Sequence, residues 1–342
     1  MRWEPKYTIT PALLGKIKRI YTLVAELNGR RFSQVVLFEL AHTARELSAH
    51  ASTSIEGNPL PLTEVKKILK SRPEVLRDSE REVINYNEAL VWLAKELGSK
   101  QKGLTSEQIL NIHKMVTREL LPAYATGKWR KKPVVVNNPV RRQVVYLPPD
   151  WQKVPRLIAE LVDYVQRSWG VVDPVILAGV VHKQLVIIHP FMDGNGRTTR
   201  LVTKMILAGM GLDTFNLFSF ENYYNQNVSK YFAMVGESGD YEELSNQIDF
   251  TAWLTYFADG IIDELLRVKK LLGVAVGRRV RLKAQHEIIL QWIREHGAIN
   301  DNEYSKLTVR AKATRVIDFN YLIKMGMIRR EGKGKNTEYV LA

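Results

Sequence analysis

Residues 188–200 read IHPFMDGNGRTTR, from Ile188 to Arg200. An apolar helical run opened by Asp173-Pro174 carries Val175 to about Ile188 into this stretch, and a second apolar run, LVTKMILAGM from Leu201, leaves it. The pattern is helix, tight turn, helix. Gly194 and Gly196 bracket Asn195, which frees the backbone to take left-handed or crowded conformations. Successive N–H groups in such a turn, at the positive end of the next helix, form an anion cradle suited to phosphates. Arg197 and Arg200 lie three apart on that helix and project to one side, where guanidinium groups grip further phosphate oxygens. Asp193 is placed to hold a hard cation, and magnesium normally takes few protein carboxylates plus phosphate oxygens. His189 is four residues upstream of it, with an ordinary pKa near neutrality that suits a proton acceptor for an attacking hydroxyl. Spacing alone leaves a second reading open, a structural turn with no ligand.

Outward from this turn, most of the chain has helical rather than strand periodicity, so the expected fold class is mainly α. Helices are expected from Phe32 to about His50 with Ser33 as cap, over Leu62 to Leu69, and over Glu80 to Leu97. A capping-box start at Thr105 or Ser106 opens another, and Asp150 precedes an amphipathic helix through Ser168. Between them, Gly127 to Pro149 carries two β-branched runs, Val134 to Val136 and Val144 to Tyr146, which predict a β-hairpin. The small, uncharged stretch Gly273 to Gly277 reads as a linker. Beyond it, helices over Lys283 to His296, Asn302 to Leu307 and Ala311 to Met325, then two strand-like pieces around GKGK, resemble a winged helix-turn-helix. The expected organisation is an N-terminal helical region over 1–100, a core over 101–272 and the winged tail over 278–342.

The chain has 342 residues, 45% hydrophobic and 25% charged, which excludes a disordered protein. Lys+Arg 50 against Asp+Glu 36 gives +14, pointing to nucleic acid, phosphate-bearing ligands or an acidic partner. With no cysteine, disulfide scaffolds, Cys-zinc sites and thiol nucleophiles are excluded, and an intracellular home is favoured. The start MRWEPKYTIT has no apolar stretch of signal-peptide type. The most apolar segment, Val171 to Phe191, is interrupted by Asp173, Pro174, His182 and Lys183. A cytoplasmic protein without a membrane span is therefore expected.

The turn resembles the Fic family signature HPFxDGNGRxxR and matches every fixed position: His189, Pro190, Phe191, Asp193, Gly194, Asn195, Gly196, Arg197 and Arg200. The resemblance covers roughly residues 33–262. Gly127-Lys128-Trp129-Arg130 resembles the family's lead into its flap, and Tyr231-Phe232 resembles a Tyr-Tyr pair common among its members, with Phe232 departing from it. The resemblance implies a helical bundle with a β-hairpin flap, and an enzyme that transfers AMP from ATP to a Ser, Thr or Tyr hydroxyl of a protein target. By position, His189 would be the base and Asp193 would hold Mg2+. Gly194, Asn195 and Gly196 would form the anion hole, Arg197 would meet the outer phosphates and Arg200 the γ-phosphate. Phe191 and Tyr231 belong to the same ATP site, with Phe191 packing inward to fix the loop. Val134, Val135, Val136 and Asn137 would align the target as a flap strand. A related subfamily with lysine at the Gly196 position acts as a kinase, which its absence here argues against.

The patch from Ser52 to Asn58 reads as a helix end capped by Gly57, where Glu56 is mildly unfavourable against the helix dipole. It also resembles the family's inhibitory motif [ST]xxxE[GN] at Ser52, Glu56 and Gly57, which implies that Glu56 pairs with Arg200 and restrains the enzyme. Some restrained members also remove AMP, so a bifunctional enzyme is an alternative. His182, His42, His50, His113, His286 and His296 have no metal-ligand spacing, and His182 reads as packing.

Residues 278–342 hold 14 Lys+Arg and 7 Asp+Glu, half of the excess charge. Lys312, Arg315 and Asn320 are the expected exposed face of a recognition helix, with Val316, Phe319, Leu322 and Ile323 inward and Gly332 to Lys335 as the wing. DNA is one expected partner of this tail and a docking or dimerisation role is the other, leaving a homo-oligomer open. A DNA-binding regulator whose core only senses nucleotide stands as the alternative to the transferase.

Overall fold

The structure is a computed structural model that describes residues 2–29, 34–96, 103–137, 144–209, 211, 219–276, 282–325, 327–332, 334 and 337–341. Its elements, in chain order, are α1 (Pro11–Asn28), α2 (Gln34–Ile55), α3 (Leu62–Ser71), α4 (Asp78–Glu96) and α5 (Ser106–Val116), then the strands β1 (Val136–Asn137) and β2 (Val144–Leu147). There follow α6 (Val154–Ser168), α7 (Pro174–Ile188), α8 (Asn195–Gly209), α9 (Glu221–Gln226), α10 (Val228–Val235), β3 (Gly239–Asp240), α11 (Tyr241–Leu244) and α12 (Thr251–Val276). The chain ends in α13 (Ala284–His296), α14 (Asp301–Leu307), α15 (Lys312–Lys324), β4 (Ile328–Glu331) and β5 (Glu338–Leu341). The protein is mainly helical, as its periodicity predicts.

Two compact units are present, one of residues 1–29 and 44–268, the other of 30–43 and 269–342. The expected division at residue 100 is thus not a boundary between bodies, because α4, with α3 packed on it, packs with α5 and α8 in the same unit. Local patterning marks helix ends, but only packing decides which helices share a core. The centre of the first unit is α7, whose Asp173 caps the start by accepting from Val175 N–H, and which is buried on almost every side. That all-round burial explains why its sequence is apolar without an amphipathic stripe. Next to it lies α8, so the 188–200 turn joins two neighbouring buried helices.

A hairpin forms, but its first strand is Val136–Asn137 and leaves out Val134 and Val135; Val136 stands opposite Tyr146 and Asn137 opposite Val144, and β3 adds a parallel strand beside β2. Its 138–143 tip lies outside the described residues, as do Ser33, Gly277, Lys333 and Lys335 from the expected cap, linker and wing.

Three expectations change. Sequence reading passes over α1, although Thr10 caps it, Pro11 opens it, and Leu13, Ile17, Ile20, Leu23, Val24 and Leu27 are its buried face. The linker expected from Gly273 is helical through Val276, continuing α12. In the second unit, three helices precede an antiparallel β4–β5 pair, and Phe319 and Leu322 enter its core as expected. Val316 and Ile323 do not: they are exposed, and Arg315, expected to be free, makes two 2.8 Å bonds to the Asp301 carboxylate. Asp318 occupies the inward face, accepting from Tyr304 Oη at 2.9 Å and contacting His286 Nε2 at 3.2 Å. A buried polar network has rotated the helix away from its simple apolar reading.

Candidate functional site

His189 caps the C-terminus of α7 in the left-handed region, φ 49° and ψ 59°. A non-glycine residue there is uncommon and held by its surroundings. Arg130, itself buried, supplies much of that hold. Its Nε donates to the His189 carbonyl at 2.8 Å and its backbone N–H to the Pro190 carbonyl at 2.9 Å. On the imidazole, Nδ1 lies 3.3 Å from the Val186 carbonyl, which only accepts, so Nδ1 carries the proton and Nε2 keeps its lone pair. Burial pushes the His189 pKa below its ordinary value, favouring this neutral form.

The turn itself is closed by Asn195, whose amide donates to the Phe191 carbonyl and accepts from the Phe191 N–H, both at 2.9 Å. This reciprocal pair commits the Asn195 side chain to the loop and leaves only its backbone to serve an anion. Gly194 has φ +77°, and a Cβ there would stand 2.7 Å from Thr117 Cγ2. Both torsion and space therefore require glycine.

Phe191 turns inward, stacked on His113 with ring centroids 3.7 Å apart and planes within 2°. Trp129 stacks on its other neighbour side at 5.1 Å. The ring fixes the loop and presents no surface for a nucleotide contact. His113, discarded by its spacing, proves central. Gly127 N–H donates to its Nδ1 at 3.0 Å, which leaves Nε2 as the donor to the Asp193 carbonyl at 3.0 Å. Burial lowers its pKa to about 4, so it stays neutral in this role. No sequence signal short of the three-dimensional contact identifies it.

Arg200 is fully buried and meets the end of α2. Its Nε donates to Ser52 Oγ at 2.7 Å, and its Nη2 donates to the Ser52 carbonyl at 2.8 Å and to Glu56 Oε1 at 2.7 Å. Although burial alone would lower the Arg200 pKa, the Glu56 carboxylate beside it raises it. A Schellman turn ends α2: Asn58 N–H reaches the Thr53 carbonyl, Gly57 N–H reaches the Ser54 carbonyl, and Gly57 has φ +95°. This turn aims Glu56 across to α8. A Cβ on Gly196 would fall 2.0 Å from Glu56 Oε1, so the carboxylate rests on the cradle itself.

Arg197, only 2% exposed, meets two further carboxylates. Its Nη1 donates to Glu82 Oε1 at 2.9 Å, and its Nη2 lies 3.2 and 3.1 Å from the two oxygens of Asp193. Each arginine keeps one buried nitrogen, Nη1 of Arg200 and Nε of Arg197, with no acceptor among the described residues. Unanswered buried donors at an anion cradle are what a phosphate ligand would satisfy.

Tyr231 lies beneath the turn, beside Arg200. It is buried, and its hydroxyl is engaged with His182 Nε2 at 2.9 Å, while His182 Nδ1 contacts Thr203 Oγ1 at 2.9 Å. The pair supports α8 from beneath through Thr203, with the Tyr231 hydroxyl also beside Arg200. Around the flap, Val134 and Val136 are half-buried while Val135 and Asn137 are exposed, and Tyr146 Oη anchors β2 to the Ile187 carbonyl at 3.1 Å. Strand β2 and His189 thus hang on the same end of α7.

Residues 103–207 match the sequence model of the family described as Fic/DOC family. A protein of Caenorhabditis briggsae named protein adenylyltransferase fic-1 is 34% identical over 170 residues, 48% of this chain and 32% of that protein. Another of Nematostella vectensis, named protein adenylyltransferase Fic, is 30% identical over 164 residues, 47% of this chain and 36% of its own length. The chain thus spans about a third of the length of these curated relatives. Among solved structures, a Fic family protein from Desulfovibrio desulfuricans G20 superposes with a TM-score of 0.66 at 21% identity, covering 99% of this chain and 98% of that one. Fic-1 from Caenorhabditis elegans superposes with a TM-score of 0.60 at 22% identity, covering 77% and 73%. The chain is thus similar to the Fic/DOC family over residues 103–207 and shares the fold of Fic structures, in agreement with the geometry of the turn.

Proposed function

We propose that this chain is a protein adenylyltransferase that moves AMP from ATP to a hydroxyl side chain of a protein target. The observation that carries the reading is the pair of buried arginines with unanswered donors at a glycine cradle, beside a histidine whose Nε2 is unprotonated. In the reaction, the target hydroxyl gives its proton to His189 Nε2 and its oxygen attacks the α-phosphorus. The α–β phosphoanhydride bond breaks and pyrophosphate leaves. Backbone donors of Gly194 to Gly196 and the two guanidinium groups stabilise charge on the phosphate oxygens.

Among the described residues no group of three or more His, Cys, Asp or Glu is arranged to hold a metal ion. One exposed carboxylate at the cradle, Asp193, suits a magnesium ion that arrives on the nucleotide, since such ions take few protein ligands. That ion would neutralise phosphate charge. The flap residues Val134, Val135, Val136 and Asn137 offer a partly exposed segment for the target, of which Val136 and Asn137 form strand β1. Glu56 is the restraint, because its carboxylate occupies Arg200 and the cradle that the outer phosphates need.

Incubation with radiolabelled ATP tests the reading on three proteins: the wild type, Glu56→Gly and His189→Ala. Glu56→Gly should label itself or a lysate protein more strongly than the wild type, and His189→Ala should not label at all. No transfer by either of the first two would leave the alternative of a nucleotide-sensing regulator, whose tail would then be tested by salt-dependent binding to duplex DNA. No described helix is long and apolar enough to cross a membrane.

A further inference from the structure

We propose that Glu82, held by Asn58, is a positioning residue that orients Arg197 toward the outer phosphates of the nucleotide. The inference rests on the reading of the glycine turn as a nucleotide site. Glu82 lies on α4, and nothing in the 188–200 turn calls for it. Yet its Oε1 takes the Nη1 donor of Arg197 at 2.9 Å, while its Oε2 accepts from Asn58 Nδ2 at 2.7 Å. Asn58 is itself fixed: Nδ2 also donates to the Ser79 carbonyl at 2.8 Å, and Oδ1 accepts the Leu60 N–H at 3.1 Å. A rigid chain of contacts therefore runs from α4 and the residue after Gly57 into the guanidinium.

Asp193, the other partner of Arg197, is unlike Glu82 in two respects. It stands in the turn with its side chain 58% exposed, against 23% for Glu82, and it is the carboxylate a nucleotide-borne cation would take. Once that happens, Nη2 is released, and Glu82 is the remaining carboxylate contact on the Arg197 fork. A planar guanidinium gripped at one nitrogen keeps its other donors aimed, so the fork meets the phosphates without searching rotamers. Without Glu82 the guanidinium would collapse onto Asp193 and neutralise the carboxylate needed by the cation.

The test is equilibrium binding of ATP and of AMP to the full chain by calorimetry, in a Glu56→Gly parent so that Arg200 is available. Arg197 serves the outer phosphates, which AMP lacks. Glu82→Ala should therefore weaken ATP binding about tenfold, the scale of one charge-assisted hydrogen bond, and leave AMP binding unchanged. Glu82→Gln, which keeps an acceptor oxygen without the charge, should fall between and guards against a folding defect in the alanine variant. Adding Glu82→Ala to Arg197→Ala should cost nothing further, because the two act through one contact. Equal losses for ATP and AMP would reduce Glu82 to a structural charge partner and overturn the proposal. So would tighter ATP binding, which would make Glu82 a second restraint, or unchanged ATP binding in both variants. A parent that binds no ATP would instead overturn the nucleotide reading, and this inference with it.

Discussion

The two ends of the 188–200 turn are held by different physics. At the front, His189 and Phe191 are fixed by backbone carbonyls and by ring stacking, through Arg130, Val186, His113 and Trp129. None of these contacts uses a group that a nucleotide would need. At the back, Arg197 and Arg200 are held by carboxylates: Glu56 and Asp193 take donors that phosphate oxygens would use, and Glu82 grips Arg197 at Nη1. The proposed base is therefore held without reference to any nucleotide, whereas the proposed phosphate grip is conditional on which anion occupies the arginines.

The most severe way to break this contrast is at the front. In a Glu56→Gly background, His189→Ala should lower label transfer by about 10²–10⁴-fold, the usual contribution of a positioned base, with ATP affinity retained. Loss of ATP affinity in calorimetry would show that the two ends are not independent. At the back, Glu56→Gly alone should raise self-labelling by about tenfold or more, since it removes a charge-assisted bond to a buried arginine.

His113 sharpens the contrast through pH. Its folded pKa of about 4 lies below the 6.5 of an ordinary histidine, so between those values the unfolded chain binds a proton that the folded chain refuses. Stability is then lost as pH falls from about 6.5 toward 4, by at most about 3 kcal/mol from this residue. Urea unfolding of His113→Gln should be less acid-sensitive than the wild type across that window, and equal sensitivity would refute the neutral role. The smallest effect belongs to Ser52→Ala. It removes one of three acceptors from Arg200 but keeps Glu56 and the Ser52 carbonyl, so self-labelling should rise only about threefold.

Much of this site is legible in the sequence because its parts are local. Gly194, Asn195 and Gly196 act through a turn whose geometry is set within five residues, and Ser52, Glu56 and Gly57 form one helix end, whose contact with Arg200 is implied by the family resemblance. Glu82 and His113 are not legible in this way. Glu82 is 115 residues from Arg197, and His113 is 80 from Asp193, with no motif joining them. Arg315 shows the opposite failure, for it has the right residue type in a plausible place but is turned to Asp301, because a polar side chain beside a partner satisfies its hydrogen bonds there.

The sequence by itself determined the mainly helical class, the hairpin and the helix–turn–helix around Gly194, all consequences of short-range patterning, whereas the opposition of Glu56 to Arg200, 144 residues apart, is implied only by the family resemblance. Only the tertiary structure decided that residues 44–96 join the core as one body, that Phe191 serves the loop, and that Arg197 answers to Glu82. Such assignments depend on which distant side chains are buried together, and burial is a property of packing that no local period encodes.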